Sequence, residues 1–285
     1  MSRFFISLVI SIIISSMIFI PDYIGYLDGQ SAKPITNVSN LTLSEDLGNV
    51  GLENKTVRYF EDAQGYLVYP VSSTDSQGKL PAVVMIHEWW GLNQNIKYMA
   101  NLLAKQGFVV LAADLYHGNV TDNPQVAMDL VQIARNDQSS SVANLQAAVK
   151  YLSLAPNVDS TKIASLGWCF GGGQSLQLAL NSHEHPLAAT ILYYGTPLVT
   201  DKESLAKIKW PVLGIFGDND QAIPIPEINQ FRTSLNQSGI TNEIEIYKGV
   251  GHAFANPSGD NYAPKETADA WERTLSFLKK YVVET

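Results

Sequence analysis

The sequence GWCFGG at residues 167–172 decides how the rest of the chain is interpreted. An apolar run at residues 163–167 predicts a buried strand before it, and residues 172–181 predict a helix after it. Small residues around a nucleophile let a strand turn sharply into a helix, whose N-terminus favours a thiolate. The segment therefore predicts a nucleophile elbow that carries Cys169 in place of the usual serine. A buried structural cysteine in a glycine-rich turn is the alternative interpretation.

Strand and helix patterns alternate on both sides of this turn. Four turn-forming residues, DAQG at residues 62–65, separate the first two strand patterns and predict an antiparallel hairpin. Later runs are continuously apolar, which is typical of strands covered on both faces. This order predicts one α/β domain with a mostly parallel sheet and helices on both faces. Predicted strands lie at residues 57–60, 66–69, 82–87, 108–114, 163–167, 188–195, 212–217 and 243–247, and predicted helices at residues 93–106, 125–134, 141–154, 172–181, 226–236 and 265–282.

A cysteine nucleophile needs a base and a group that orients the base, and in sheets with such an elbow they follow in the order nucleophile, acid, histidine. His252, in GHAF at residues 251–254, lies after the last predicted strand and fits the position of the base. The loop GDNDQAIP at residues 217–224 offers two carboxylates. We favour Asp220 as the orienting acid because the Ile-Pro pair after it anchors the loop, whereas Asp218 can cap the turn.

An acidic residue also follows the first long apolar strand, in IHEWWG at residues 86–91. In enzymes with a nucleophile elbow, this loop supplies a backbone amide to the oxyanion hole. Burial of Glu88 beside Trp89 and Trp90 would raise the pKa of its carboxyl group and let it exchange a proton with the thiol. A partly solvated loop acid is the alternative.

Composition excludes several classes of function. The 285 residues are 46% hydrophobic, which is typical of a globular protein with a sizeable core. The formal charge of −8 and the pI near 5.1 argue against nucleic-acid binding, which depends on neutralising phosphates. One cysteine permits neither an intrachain disulfide nor a four-cysteine zinc site.

The N-terminus has the pattern of an export sequence. A single arginine precedes 17 uncharged, mostly apolar residues at positions 4–20. Residues 1–21 therefore predict a signal peptide or an N-terminal membrane anchor, and the length of the run leaves both open. Residues 22–54 lack a sustained period and predict a linker, and residues 55–285 form the predicted domain. We expect an exported protein whose domain lies outside the cytoplasm, with any membrane association confined to the N-terminal segment.

The four motifs, in this order and on these elements, resemble the dienelactone hydrolase (carboxymethylenebutenolidase) family, which has the α/β-hydrolase fold. The resemblance covers most of the chain after residue 55. It implies that Cys169 is the nucleophile, His252 the general base and Asp220 its orienting acid, and that Glu88 holds the resting thiol neutral. It further implies hydrolysis of a lactone or ester through an acyl-thioester, without metal or organic cofactor. The backbone N–H groups of Trp89 and Phe170 would form the oxyanion hole.

The sequence departs from this family at the expected substrate pocket. Bacterial members hold the substrate carboxylate with arginines, but here Asn256 replaces one of them and residues 114–128 contain none. A less acidic lactone or ester, or a bulkier substrate stacked on tryptophan, is therefore as good a candidate as dienelactone. Trp168 is equally compatible with a core position. The candidate substrate contacts are Trp90, Trp168, Tyr116 and Asn256.

Two rival functions share this fold. A non-catalytic cell-envelope binding protein would have lost a member of the triad, and none is missing from the sequence. A peptidase on the same scaffold would need a cap or propeller insertion, for which the domain has little length. We therefore expect a monomeric hydrolase that acts on a small-molecule lactone or ester.

Overall fold

Eight strands form one sheet in the computed structural model, which describes residues 51–71 and 78–285. The predicted signal or anchor at residues 1–21 and the linker up to residue 50 lie outside the described residues. The strands are β1 (Leu52–Phe60), β2 (Ala63–Pro70), β3 (Leu80–Ile86), β4 (Val109–Ala113), β5 (Val158–Trp168), β6 (Ala189–Tyr193), β7 (Val212–Gly217) and β8 (Asn242–Tyr247). Their spatial order is β1-β2-β4-β3-β5-β6-β7-β8.

The helices connect these strands as the alternating pattern predicts. Asn93 begins the first helix by accepting a hydrogen bond from the N–H of Ile96 at 3.1 Å, and Pro124 stands at the start of the second. The helices are α1 (Gln94–Lys105), α2 (Pro124–Asn136), α3 (Gln138–Ser153), α4 (Phe170–Asn181), α5 (Lys202–Leu205), α6 (Ile225–Gln237) and α7 (Pro264–Leu278), and α7 continues into a π-helical turn at Lys279–Val283.

The predicted sheet is confirmed. The β1–β2 and β2–β4 pairs are antiparallel. Every pair from β4 through β3, β5, β6 and β7 to β8 is parallel. The predicted hairpin is present, but its turn is tighter than expected because Ala63 already pairs with Phe60. Strand β1 begins at Leu52, so three residues that the sequence assigns to the linker belong to the sheet.

The direction in which the strands are added reverses between β3 and β5. From β3 the chain moves through α1 to β4 on one side, whereas from β5 it moves through α4 to β6 on the other. Right-handed crossovers in opposite directions place their helices on opposite faces of the sheet. They also leave a crevice at the carboxyl ends of β3 and β5, where ligands bind in open α/β sheets. The Glu88 loop follows β3 and Cys169 follows β5, so both meet at this crevice.

The sheet is covered on both faces. Every residue of β4, β6 and β7 is buried, which accounts for the continuous apolar runs in their sequences. Polar groups inside this core pair with one another: Ser175 donates to Ser165 at 2.8 Å, and the Trp210 indole donates to Thr190 at 2.9 Å. The serine pair joins α4 to β5 and so supports the turn between them.

Some elements differ from their predicted lengths. Strand β5 begins at Val158 rather than residue 163, because its polar first half extends past the apolar core. Helix α3 begins at Gln138, where Asp137 caps it through the N–H of Ser140 at 3.0 Å. Among residues 51–71 and 78–285, no helix combines the length and the apolar composition needed to cross a membrane.

Candidate active site

The turn between β5 and α4 has the geometry of a nucleophile elbow. Cys169 has φ 53° and ψ −118°, which is a conformation that side-chain-bearing residues rarely adopt. Its N–H donates to the carbonyl of Tyr193 at 3.0 Å, and its carbonyl accepts from Gly173 at 3.1 Å. These two hydrogen bonds hold the strained residue between β6 and the first turn of α4. The thiol is partly exposed.

The glycines of the elbow are required by close approach of the backbone. A Cβ atom at Gly171 would collide with the carbonyl oxygens of Ile86 and His87, at the end of β3. A Cβ atom at Gly167 would collide with the carbonyl of Gly171 itself. The elbow is therefore packed directly against the strand that carries the Glu88 loop.

The structure brings the side chains of Cys169, His252 and Asp220 together in a chain of two hydrogen-bonding contacts. The Nε2 atom of His252 is 3.2 Å from the sulfur, and its Nδ1 atom is 2.8 Å from Oδ2 of Asp220. Since an ionised carboxylate only accepts, Nδ1 donates to Asp220, and in the neutral form of the imidazole Nε2 is then left to accept from the thiol. The side chain of Asp220 is fully buried, whereas 16% of the His252 side chain is exposed.

The charges around His252 favour its protonated form. Burial alone lowers the pKa of His252, but Cys169 and Asp220 raise it through charge and hydrogen bonding, so that the net pKa lies well above its ordinary value. The amide of Asn261 donates to the His252 carbonyl at 3.0 Å and holds its loop. The imidazole is thus oriented to accept a proton and stabilised once it has done so.

The two candidate acids have different environments. Asp220 accepts from the N–H of Ala222 at 2.8 Å with one oxygen and contacts His252 with the other. Asp218 instead accepts from the N–H of Gly249 at 2.5 Å and ties its loop to the loop after β8. This geometry agrees with the sequence-based preference for Asp220 and with a capping position for Asp218.

Glu88 is buried beside the triad. Glu88 is only 3% exposed, and its Oε2 atom accepts a hydrogen bond of 2.7 Å from the amide of Asn256. Burial raises the pKa of Glu88 to about 7, although His252 and Asn256 act to lower it. In the described part of the chain, the carboxylate is hydrogen-bonded to Asn256 rather than to the thiol of Cys169.

Asn256 has both ends of its amide engaged. Its Oδ1 atom accepts from the N–H of Ser258 at 2.9 Å, which leaves Nδ2 to donate to Glu88. The residue is 7% exposed. It was predicted as a substrate contact, but this arrangement favours a part in holding Glu88.

Of the other predicted substrate contacts, Trp90 is half-buried, whereas Trp168 and Tyr116 are buried. The rings of Trp89 and Trp90 are 4.5 Å apart and half-buried, at the edge of the crevice. Trp168 is buried and packs on Tyr193 at 5.5 Å, as its core interpretation predicts. Tyr116 is also buried, with its ring against His87, and its hydroxyl has no partner in the described chain.

His87 and Tyr194 complete the site and are not among the predicted site residues. His87 Nδ1 donates to the carbonyl of Glu88 at 2.6 Å, while its Nε2 accepts from the N–H of Leu115 at 3.2 Å. Burial lowers the pKa of His87, which agrees with this neutral form. The ring of Tyr194 packs on His252 at 5.2 Å. Both residues stand at the end of an apolar strand, which is the signal that could have identified them.

The two backbone donors of the predicted oxyanion hole belong to residues that follow neighbouring strands of the sheet. Phe170 is the first residue of α4, so its N–H has no acceptor within the helix. Trp89 follows Glu88 in the loop after β3, the neighbouring strand. Within the described ranges, no group of His, Cys, Asp and Glu residues is arranged to hold a metal ion.

The described chain has an open, mostly parallel sheet with a strained turn at Cys169, a histidine after the last strand and a carboxylate after the strand before it. These features define an α/β-hydrolase. Comparison with known proteins refines this class. The family model for the dienelactone hydrolase family matches residues 64–282, and the chain belongs to this family.

Relatives with similar sequences come from bacteria and archaea. A protein from Saccharolobus solfataricus, named as a carboxymethylenebutenolidase, is 33% identical over 264 residues and covers 78% of this chain and 97% of its own length. Protein usf of Aquifex pyrophilus is 32% identical over 207 residues, which are 71% of this chain and 89% of that protein. A Bradyrhizobium protein named as a 2-oxo-3-(5-oxofuran-2-ylidene)propanoate lactonase is 31% identical over 77% of this chain and 90% of its own.

Solved structures show the same fold. A dienelactone hydrolase-like promiscuous phosphotriesterase from metagenomic libraries has a TM-score of 0.72 at 24% identity and covers 81% of this chain and 98% of its own. A protein from Klebsiella pneumoniae, titled as a dienelactone hydrolase, has a TM-score of 0.71 at 22% identity, with 81% and 100% covered.

Proposed function

We propose that this protein hydrolyses carboxylic esters or lactones through a Cys169–His252–Asp220 triad and an acyl-thioester intermediate. The observation that supports this most directly is the line of contacts, 3.2 Å from sulfur to imidazole and 2.8 Å from imidazole to carboxylate. The names of two relatives, a carboxymethylenebutenolidase and a lactonase, point to the same chemistry.

In the first half-reaction the thiol proton passes to Nε2 of His252 while the sulfur attacks the carbonyl carbon. The carbonyl oxygen becomes an oxyanion, which the N–H groups of Trp89 and Phe170 stabilise. Buried Asp220 stabilises the imidazolium that forms. The C–O bond then breaks, the imidazolium gives its proton to the departing alkoxide, and the acyl group remains on sulfur as a thioester.

In the second half-reaction a water molecule attacks the thioester. His252 removes its proton, the C–S bond breaks, and the proton returns to the sulfur. An ester yields an acid and an alcohol, and a lactone yields one hydroxy acid because its alkoxide stays attached. Neither half-reaction requires a metal or an oxidant.

Glu88 controls the charge of the resting site in this proposal. Its carboxyl group has a pKa raised to about 7 and acts on the nearby His252. When Glu88 is ionised it favours the imidazolium, and when it is protonated it favours the neutral imidazole that accepts the thiol proton. Glu88 thereby influences the thiol through His252.

The substrate that we favour carries no carboxylate at the position of Asn256. The amide of Asn256 is already bonded to Glu88 and to the backbone of Ser258. A substrate carboxylate there would lie beside the acidic Glu88, with no cation in place of the family's arginine. Uncharged esters and lactones that contact Trp89 and Trp90 fit this site better.

The nucleophile assignment is tested with p-nitrophenyl acetate and cis-dienelactone as substrates. We expect Cys169→Ala to lower turnover of the ester at least about 10³-fold with an unchanged melting temperature. Iodoacetamide should inactivate the native protein and leave the residual rate of Cys169→Ala unaffected, because no other cysteine exists. Retained turnover in Cys169→Ala would refute the proposal. Turnover of the ester in clear preference to cis-dienelactone would support an uncharged substrate.

The orienting acid is tested by a matched pair of substitutions in one loop. Asp220→Asn should lower kcat by about 10³–10⁴-fold because the imidazole loses its buried counter-charge. Asp218→Asn should change kcat by less than about tenfold, since Asp218 contacts the backbone of Gly249. The reverse ranking of the two kcat values would assign the role to Asp218.

A further inference from the structure

A fully buried tyrosine packs against the proposed general base. Tyr194 directly follows β6 and has φ 37°, a left-handed backbone conformation that residues with side chains rarely adopt. Its N–H donates to the carbonyl of Ile215 at 2.6 Å, which holds this conformation against β7. Its ring lies 5.2 Å from the ring of His252 and 5.6 Å from that of Phe254. The side chain of Tyr194 therefore forms part of the wall behind the triad.

The hydroxyl group of Tyr194 has no hydrogen-bond partner in the described chain, although the residue is fully buried. The N–H of Ala255 is close enough to this oxygen to favour its ionised form, but it does not complete a hydrogen bond. The next residue, Asn256, donates its amide to Glu88. A buried hydroxyl without a partner is unfavourable, so a neighbouring group that can bond to it lowers the free energy of the site.

Glu88 is the charged group that acts most strongly on this hydroxyl. Burial first, and then the charges of Glu88, Cys169 and Tyr193, raise the pKa of Tyr194 well above its ordinary value, so the hydroxyl keeps its proton. The titratable groups around Glu88 and Tyr194 are Cys169, His252 and Tyr193, with His87 at the Glu88 backbone and Asp220 beyond His252. Cys169 already contacts His252, and the Tyr193 hydroxyl already contacts Thr274. Glu88 is therefore the partner that the surroundings select.

Asn256 can serve only one of the two protonation states of Glu88. Its Oδ1 atom accepts from the N–H of Ser258, so its amide group donates to Glu88 and accepts nothing from it. Since the pKa of Glu88 is about 7, both states are present near neutral pH, and the protonated carboxyl group has an O–H that needs an acceptor. A hydroxyl group both donates and accepts, so Tyr194 suits both states.

We propose that Tyr194 is a positioning residue for Glu88, whose hydroxyl accepts from the protonated carboxyl group and donates to the carboxylate. Asn256 holds Oε2, which leaves Oε1 to meet the hydroxyl after rotation of the carboxyl group. A hydrogen bond to an ionised group is about twice as strong as one between neutral groups, so Tyr194 lowers the pKa of Glu88 on balance. The inference rests on the proposed function, in which the proton on Glu88 sets the charge of His252.

The test compares Tyr194→Phe with Tyr193→Phe in the full chain, since each variant loses only a hydroxyl group. With p-nitrophenyl acetate, Tyr194→Phe should move the Glu88 limb of the kcat/KM profile upward by about 0.5–1 pH unit. Its melting temperature should be unchanged or higher, because an unpaired oxygen is removed. Tyr193→Phe should leave the limb in place and lower the melting temperature, because its hydroxyl bonds Thr274 at 2.7 Å and the carbonyl of Ala270 at 2.8 Å.

A double variant tests whether Tyr194 acts through Glu88. In a Glu88→Gln background, Tyr194→Phe should leave the kcat/KM profile unchanged, since the group that titrates is gone. A native profile in Tyr194→Phe would overturn the proposal. The same shift in Tyr193→Phe, or a shift that persists in the Glu88→Gln background, would overturn it as well.

Two further measurements do not depend on turnover. In urea unfolding, the fall of stability with rising pH should extend about 0.5–1 pH unit higher in Tyr194→Phe, because the raised pKa of Glu88 rises further. Infrared difference spectra of the native protein should show the Glu88 carboxyl band and a tyrosine band changing over the same pH range, and Glu88→Gln should remove both changes. Absence of these effects would overturn the proposal even in an active enzyme. Retained turnover in Cys169→Ala would instead refute the proposed function and leave these two measurements valid.

Discussion

The two loops that meet at the crevice are held in place by different means. The elbow around Cys169 is fixed by backbone packing, with Gly171 against the carbonyls of Ile86 and His87. The Glu88 loop is fixed by side chains, because His87 bonds its carbonyl and Asn256 bonds its carboxylate. The first arrangement leaves a local mark in the sequence as a run of glycines. The second depends on a contact between residues 168 positions apart.

This difference predicts which substitutions each loop tolerates. Backbone packing tolerates no added atom, so a substitution in the elbow should affect the whole fold. Side-chain contacts can be removed singly, so a substitution around Glu88 should change its protonation and leave the fold intact. Three substitutions test this contrast, beginning with the largest expected effect.

Gly171→Ala should disrupt the elbow. The added Cβ atom would meet two backbone carbonyls, which cannot rotate away as a flexible side chain can. We expect the free energy of unfolding to fall by more than about 3 kcal/mol, measured by urea denaturation. Gly78→Ala is the control, because a Cβ atom there meets nothing within 4 Å. Equal stability of the two variants would contradict the packing argument.

Glu88→Gln should change how stability depends on pH. The pKa of Glu88 is raised from 4.5 to about 7 in the folded protein, so between these values the folded state binds the proton more tightly than the unfolded chain. Stability therefore falls as pH rises through this range, and the ionised, buried carboxylate destabilises the fold at higher pH. The variant lacks this penalty. Its stability relative to the native protein should rise by about 2–3 kcal/mol between pH 4.5 and pH 8.

Urea unfolding at several pH values provides the measurement, with Glu184→Gln as the control. Glu184 is exposed, so its substitution should leave the pH dependence unchanged. A pH-independent difference between Glu88→Gln and the native protein would show that Glu88 is not protonated in the folded state near neutral pH.

Asn256→Ala should produce the smallest effect of the three. The hydrogen bond from Asn256 lowers the pKa of Glu88, so its removal should raise that pKa further. The corresponding limb of the kcat/KM profile should move upward by about one pH unit, and the free energy of unfolding should fall by about 1–2 kcal/mol because the buried carboxyl group loses its partner. Ser258→Ala is the matched control because it keeps the backbone N–H that holds Asn256. An identical profile for both variants would remove Asn256 from any role in positioning Glu88.

The sheet, and the loops that carry the candidate site residues, could be predicted from the sequence because their determinants are local. Apolar runs mark the buried strands, the glycines around Cys169 mark the elbow, and the loops after the last two strands hold Asp220 and His252. The limits of β5 could not be predicted, since its first half is polar and pairs beyond the apolar core.

The surroundings of Glu88 could not be predicted for a different reason. Nothing near Asn256 in the sequence indicates that its amide is oriented by Ser258 and donates to a residue in another loop. The same holds for His87, whose partner Leu115 lies on the segment after β4. Contacts of this kind depend on the folded arrangement of loops, which a pattern of residue types does not specify.

The partly exposed thiol in the elbow has a practical consequence for the study of this protein. Cys169 is the only cysteine among 285 residues, so a chromogenic disulfide releases at most one equivalent of dye per chain. The dye released from a folded sample counts the molecules with an accessible, reduced sulfur, without correction for other thiols. Any rate can then be expressed per reduced thiol rather than per milligram, and oxidation of the sulfur can be followed in the same measurement.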